Sequence, residues 1–351
     1  MVSVSDFDRF VFIVGAPRCG TTTLAQFLRE HPSVSFPLVK EPHFFAQYDL
    51  RGLDDVELRR KVEGEYLRRF YRPELDRRTG ADASVTYFYT PEQLEPVLRL
   101  WPNSRFIVAL RNPLTMLPSL HQRLIWIGDE TIPAFADAWA AVPDRAAGRR
   151  IPRGCADPRW LRYDQAARFG TYLERLFAVV GRERCQVLLL DDLAADPAGQ
   201  YRSLMDFIGL DALPGIDFTP RRSGKKVRVR WLQRILKRPP NAVREYVAGE
   251  KFRQRVCDLD GEAVHKIPGA VLSLRKRLLA WNRVSLPPEP LPLDLQNRIC
   301  RQFEGEVDHL GTLLGRDLSH WLRPRCDSSL GVVTSTSDIA GADRRWAAVS
   351  H

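Results

Sequence analysis

The sequence predicts an α/β fold with a central, largely parallel sheet flanked by helices, and three observations carry that expectation. Short apolar runs of strand length recur at Phe10–Val14, Arg105–Leu110 and Gln186–Leu190. Segments of helical spacing alternate with them, and each run ends in turn-forming or charged residues rather than in a hairpin signal. After the first run, Gly15-Ala-Pro-Arg-Cys-Gly20 is turn material, and Leu24, Phe27 and Leu28 then fall on one helical face. Residues Asp55 to Tyr71 read as a charged amphipathic helix. The second run ends at Arg111, where Asn112 and Pro113 supply an N-cap and a first-turn proline. Thr131 to Val142 reads as a further helix, and one carrying Tyr172, Leu173, Leu176 and Val180 leads into the third run, which stops at Asp191-Asp192. A basic cluster, Gly224 to Arg230, continues as a basic helical stretch from Trp231 to Val247 broken at Pro239-Pro240, with Trp231 itself a core candidate. Pro287-Pro288-Glu289-Pro290 marks a loop before a last helix, Leu293 to Leu314. With no linker evident, residues 1–326 are expected to form a single domain and 327–351, rich in Ser, Thr, Gly and Ala, a flexible tail.

The chain has 351 residues, 44% hydrophobic and 27% charged, which describes a packed globule and excludes a disordered chain. Its net charge of +10 favours an anionic partner without saying which. Six scattered cysteines lack the close pairing of a zinc site or the density of a disulfide scaffold. The N-terminus lacks a signal-peptide layout, and no apolar stretch reaches the ~20 residues of a membrane helix. The expectation is a soluble, cytoplasmic protein without membrane or nucleic-acid partners.

Chemistry concentrates in Gly15-Ala-Pro-Arg-Cys-Gly20-Thr21-Thr22, which leaves a strand, turns through two glycines and opens a helix. Backbone N–H groups and the positive end of the helix dipole make such a loop an anion cradle. Its glycine spacing equals that of a Walker A loop, but Thr21 stands where the lysine would be, and the loop's cation is Arg18. A Cys-x5-Arg phosphatase loop would need arginine at position 25, which is Ala25, so Cys19 is treated as a small loop residue.

Taken together, three segments resemble the family of sulfotransferases that use 3′-phosphoadenosine 5′-phosphosulfate (PAPS). Gly15 to Leu24 is similar to the family's 5′-phosphosulfate loop. Arg105 to Pro113, with Ser119 beyond it, is similar to the 3′-phosphate segment. Lys40-Glu-Pro-His-Phe-Phe45 matches a stretch of the glycosaminoglycan-type members. Gly80 to Tyr87 resembles the family's Ser-Pro-x-Tyr strand, with Val85 in place of proline, and weaker echoes continue to Trp321. The resemblance implies a P-loop-like sulfotransferase fold and PAPS as co-substrate with no metal. It also implies a hydroxyl acceptor, carbohydrate or glycosylated metabolite, with a homodimer as a further option.

On this resemblance Pro17, Arg18, Cys19, Gly20, Thr21, Thr22 and Thr23 hold the 5′ end of the donor, and Arg18 steadies the sulfuryl and bridging oxygens. Arginine stays protonated, so its help is electrostatic. Arg111 and Ser119 hold the 3′-phosphate, although Pro118 inserts a helix-perturbing residue beside Ser119. Glu41 is the candidate base, its carboxyl expected to be raised by burial beside Phe44 and Phe45, and Lys40 contacts the transferring group. His43 and His121 are rival bases, with His43 also placed, like Ser84 and Tyr87, on the acceptor side. Lys225 and Lys226 fold over the 3′-phosphate, form a solvated basic face or contact an acidic acceptor. The competing readings are a P-loop kinase using ATP and magnesium, with Asp191 mimicking a Walker B acid, and a nucleic-acid-binding protein drawn from net charge alone.

Overall fold

The computed structural model describes residues 2–72, 77–218, 225–237, 269–285 and 290–324. The expected tail and the stretch from 238 to 247 lie outside the described residues. Strands β1 (Arg9–Gly15), β2 (Val34–Ser35), β3 (Thr79–Asp82), β4 (Arg105–Leu110) and β5 (Cys185–Leu189) pair in parallel, in the order β2-β3-β1-β4-β5. Phe10 to Val14 are fully buried because β1 is the central strand with both faces covered. Phe10 lies against Trp101 with ring centroids 4.1 Å apart, and Phe12 stacks on Phe106 at 5.5 Å. Each such side chain contributes roughly 1.5–3 kcal/mol by leaving water.

The chain leaves β1 toward β2 and β3 and later crosses back to β4 and β5, so the strand order switches direction at β1. Crevices at the carboxyl ends of strands open at such switch points, and Gly15 ends β1 there. Around the sheet pack α1 (Thr21–Glu30), α2 (Pro113–Ile127) and α3 (Phe169–Val180), and more peripherally α4 (Arg230–Lys237), α5 (Gly269–Trp281) and α6 (Leu293–Leu314). Asn112 caps α2 as expected, its Oδ1 accepting from Leu114 N at 2.8 Å, and Pro118 does not interrupt the helix. A small antiparallel pair, β6 (Lys225–Val227) with β7 (Arg283–Ser285), carries α4, which Gln233 ties to α2 by donating to the Trp126 carbonyl at 2.7 Å.

Three expectations need correction, and one strand carries no sequence signal. Residues 131–134 are not helical: Glu130 Oε1 accepts from Thr131 N and Ile132 N at 2.7 and 2.9 Å, fixing a turn, and helix begins only at Phe135. The helix from Asp55 passes through a π segment, Val62–Leu67. Trp231 is not core but 67% exposed on α4. Finally, β2 was not anticipated, since two residues give no periodicity.

Candidate active site

Gly15 and Gly20 shape the loop for different reasons. A Cβ on Gly15 would lie 2.6 Å from Phe88 Cβ, so only glycine fits the packing. Gly20 adopts φ +92° as the N-cap of α1, a conformation that side chains resist. Between them the loop is pinned by Ala16 N donating to the Ala109 carbonyl of β4 at 2.7 Å. The first turn of α1 holds threonines and no acid, and no side chain caps it. Its N–H groups therefore face the crevice with the dipole uncompensated by the helix's own residues. Arg18 sits at φ +66°, and among the described residues the other non-glycine positive values are at His43 (+57°) and Arg150 (+50°). Two of those three belong to this site, where strain of ~1–3 kcal/mol per residue is characteristically held.

A cavity of about 560 Å³ opens over the loop. Pro17, Arg18, Gly20, Thr21, Thr22, Thr23, Lys40, Glu41 and Arg111 all line it, drawn from three separate stretches of sequence. Ser119 meets the site through Arg18, whose Nε donates to its hydroxyl at 2.9 Å across 101 residues. Arg111 Nε donates to Thr115 Oγ1 at 2.8 Å. Arg123 and Asp217 also line the cavity and were missed by sequence reasoning. Arg123 was legible, since it follows Ser119 by four residues and so shares its face of α2. Cys19 is buried beneath the loop, and burial pushes its thiol up to about 12 despite the charges of Arg111 and Arg18. It is uncharged at neutral pH, and of Cys19 only backbone groups are suited to an anion.

At the far wall Lys40 Nζ donates to Glu41 Oε1 at 2.6 Å, and His43 Nε2 lies 3.6 Å from Glu41 Oε2. Burial alone would raise the Glu41 carboxyl, but the nearby His43 imidazole and the charge and hydrogen bond of Lys40 outweigh it and hold the group at about 2. The expected upward shift is thus reversed. His43 is held in place: its backbone N–H donates to Ser84 Oγ at 2.9 Å, and Nδ1 lies 2.9 Å from Thr86 Oγ1.

Ser84 and Tyr87 are fully buried, which removes them from contact with an acceptor. Both donate to Asp82, Ser84 at 2.6 Å and Tyr87 at 3.0 Å, and Tyr66 adds a third hydroxyl at 2.8 Å. Burial raises the Asp82 carboxyl above its ordinary range even against these bonds. The Ser84–Asp82 pair instead supports the His43 turn from below. His121 is also buried, with Nε2 2.9 Å from the Ile132 carbonyl, and lines no part of the cavity. The side chains of Lys225 and Lys226 lie outside the described residues. Asp191 accepts from Trp321 Nε1 at 3.0 Å and Asp192 pairs with Arg316, so both carboxylates serve contacts with the segment that follows α6 rather than a magnesium site.

A model of the sulfotransferase family matches residues 11–214, which span the loop, both wall segments and β5. The chain belongs to the sulfotransferase family. The chain is 30% identical over 209 residues to human heparan sulfate glucosamine 3-O-sulfotransferase 6, covering 56% of this chain and 51% of that protein. Against mouse heparan sulfate glucosamine 3-O-sulfotransferase 3A1 it is 26% identical over 201 residues, 56% of this chain and 45% of the relative. It thus spans about half the length of these relatives. The crystal structure of a sulfotransferase from Alicyclobacillus acidocaldarius superposes with a TM-score of 0.56 at 21% identity, covering 89% of this chain and 98% of that one, and so shares the fold. The parallel sheet and phosphate-type loop are those expected of the family, and the kinase alternative is not favoured. No helix among the described residues is long and apolar enough to cross a membrane, and none of their His, Cys, Asp and Glu side chains group as a metal site.

Proposed function

We propose that this chain transfers the sulfuryl group of PAPS to a hydroxyl of a carbohydrate or glycosylated acceptor by in-line displacement. One observation carries the reading: the anion cradle, Arg111 and the Lys40–Glu41 pair border a single cavity. Their chemistry fits a multiply charged nucleotide, since α1 offers N–H donors at its positive end and Arg18, Arg111, Arg123 and Lys40 surround it. The donor supplies an activated sulfuryl group. In the step, a bond forms between the acceptor oxygen and sulfur while the bond from sulfur to the bridging phosphate oxygen breaks. The nucleotide, 3′-phosphoadenosine 5′-phosphate, leaves with the electron pair, and the acceptor proton passes to Glu41.

Gly20, Thr21, Thr22 and Thr23 hold the 5′ end, Arg18 stabilises charge on the sulfuryl and bridging oxygens, and Arg111 with Ser119 binds the 3′-phosphate. Lys40 has a double role. While paired to Glu41 it keeps the carboxylate ionised and weakly basic. Drawn toward an anion in the cavity, it releases that carboxylate to accept a proton nearer its ordinary pKa. The names of the relatives, heparan sulfate glucosamine 3-O-sulfotransferases, support a carbohydrate acceptor. Among the described residues the thiols of Cys19, Cys185 and Cys300 are free, which supports a reducing, cytoplasmic setting.

Calorimetric titration with 3′-phosphoadenosine 5′-phosphate against ATP–magnesium tests the reading. Binding of the first in preference to the second is expected, and the reverse preference overturns it.

A further inference from the structure

A second cavity, about 260 Å³, lies beyond the Glu41 wall and has a different lining. Tyr89 meets Trp160 edge-on with centroids 5.0 Å apart and Tyr172 at 4.8 Å, and its hydroxyl donates to the Ala166 carbonyl at 3.0 Å, which fixes the ring. Around this aromatic corner stand Arg159 and Arg162, each already satisfied. Arg159 is forked onto Asp157 at 2.9 Å, and Arg162 holds Asp164 at 2.6 and 2.8 Å. Each arginine is thus neutralised by an aspartate two residues away in sequence.

The two cavities share a partition. Thr86 lines the aromatic cavity and its hydroxyl is 2.9 Å from His43 Nδ1. The opposite nitrogen of that imidazole is 3.6 Å from Glu41, which lines the donor cavity. One ring therefore spans from the aromatic cavity to the candidate base.

We propose that the aromatic cavity is the acceptor subsite and that it takes an uncharged sugar ring. This rests on the sulfuryl-transfer reading above. A pyranose has an apolar C–H face that packs on aromatic rings and a rim of hydroxyls that both donate and accept. Paired Arg–Asp groups offer donors and acceptors side by side at no net charge, which suits such a rim. A sulfated or carboxylated chain would instead need cations without local counter-charges, and would meet Asp157 at close range. The heparan-type acceptors named for the relatives are therefore disfavoured here.

The test uses the full chain with PAPS and follows nucleotide release. The acceptors are methyl glycosides of glucose, galactose, mannose, N-acetylglucosamine and xylose, together with heparan sulfate and 2-naphthol. At least one neutral glycoside is expected to turn over with kcat/KM at least tenfold above heparan sulfate and naphthol. Trp160→Ala should then raise its KM tenfold or more, Trp160→Phe should restore most of it, and affinity for 3′-phosphoadenosine 5′-phosphate should stay within twofold in both. Preference for heparan sulfate or naphthol, no turnover of any neutral glycoside, or an unchanged KM in Trp160→Ala overturns the subsite. If the nucleotide still binds in that case, sulfuryl transfer stands and only the acceptor assignment falls. Loss of nucleotide binding by the unmodified chain would instead overturn the underlying reading.

Discussion

The two adjoining cavities are built from the same residue types with opposite results. In the aromatic cavity Arg159 and Arg162 each meet an aspartate two residues away, so charge cancels within one short stretch of sequence. In the donor cavity Arg18, Lys40, Arg111 and Arg123 converge from distant parts of the chain. The lining carboxylates there are Glu41 and Asp217, too few to balance them. Pairing that is local in sequence yields a neutral, hydrogen-bonding surface. Convergence over long sequence distances yields a positive field, since it gathers more cations than carboxylates around one cavity.

That contrast is open to attack, most severely at Glu41. Glu41→Gln is expected to cut turnover by ~10²–10⁴ while leaving affinity for 3′-phosphoadenosine 5′-phosphate nearly unchanged, and steady-state kinetics beside calorimetry would show the split. Arg111→Ala should weaken that nucleotide by about 1.5–3 kcal/mol, read from the same titration, because it removes charged hydrogen bonds from the donor side. Ser84→Ala should leave nucleotide affinity alone but cost about 1–3 kcal/mol in urea unfolding. It strips a buried partner from Asp82 and the acceptor from the His43 N–H.

Lys40→Met tests the charge coupling through pH. The folded-state carboxyl of Glu41 is depressed to about 2, so its ionic contacts stabilise the protein above the ordinary carboxylate range. That contribution is lost as pH falls from ~4.5 toward ~2. Without Lys40 the carboxyl should rise, moving the acid limb of kcat/KM upward and weakening the acid dependence of thermal stability. Coincident profiles for the two proteins between pH 3.5 and 7 would refute the coupling. The smallest effect is expected at Cys19: with its thiol held near 12 and no exposed surface, it should resist alkylation at pH 8 in the folded protein, as mass spectrometry can establish.

The loop of the donor cavity was legible before folding because its chemistry is local. Gly15 to Thr23 carry strand end, turn and helix start in one stretch, and Asn112-Pro113 announce the start of α2. The acceptor side was less so. Ser84 and Tyr87, expected on the acceptor side, point inward: they lie past the end of β3, Tyr87 in the 3-10 turn Tyr87–Tyr89, where no strand alternation marks the buried side. Tyr89, Trp160 and Tyr172 lie 71 and 12 residues apart in turn, and no period joins them.

The amino-acid order alone determined the anion-binding loop, the strands that frame it and the N-cap of α2, since each depends on neighbours within about one turn of chain. Tertiary structure decided the ionisation of Glu41, the meeting of Arg18 with Ser119, the burial of the Asp82 cluster and the electroneutral aromatic pocket. These depend on desolvation and on distances between remote segments, quantities that exist only once the sheet has set which ends of which strands lie side by side.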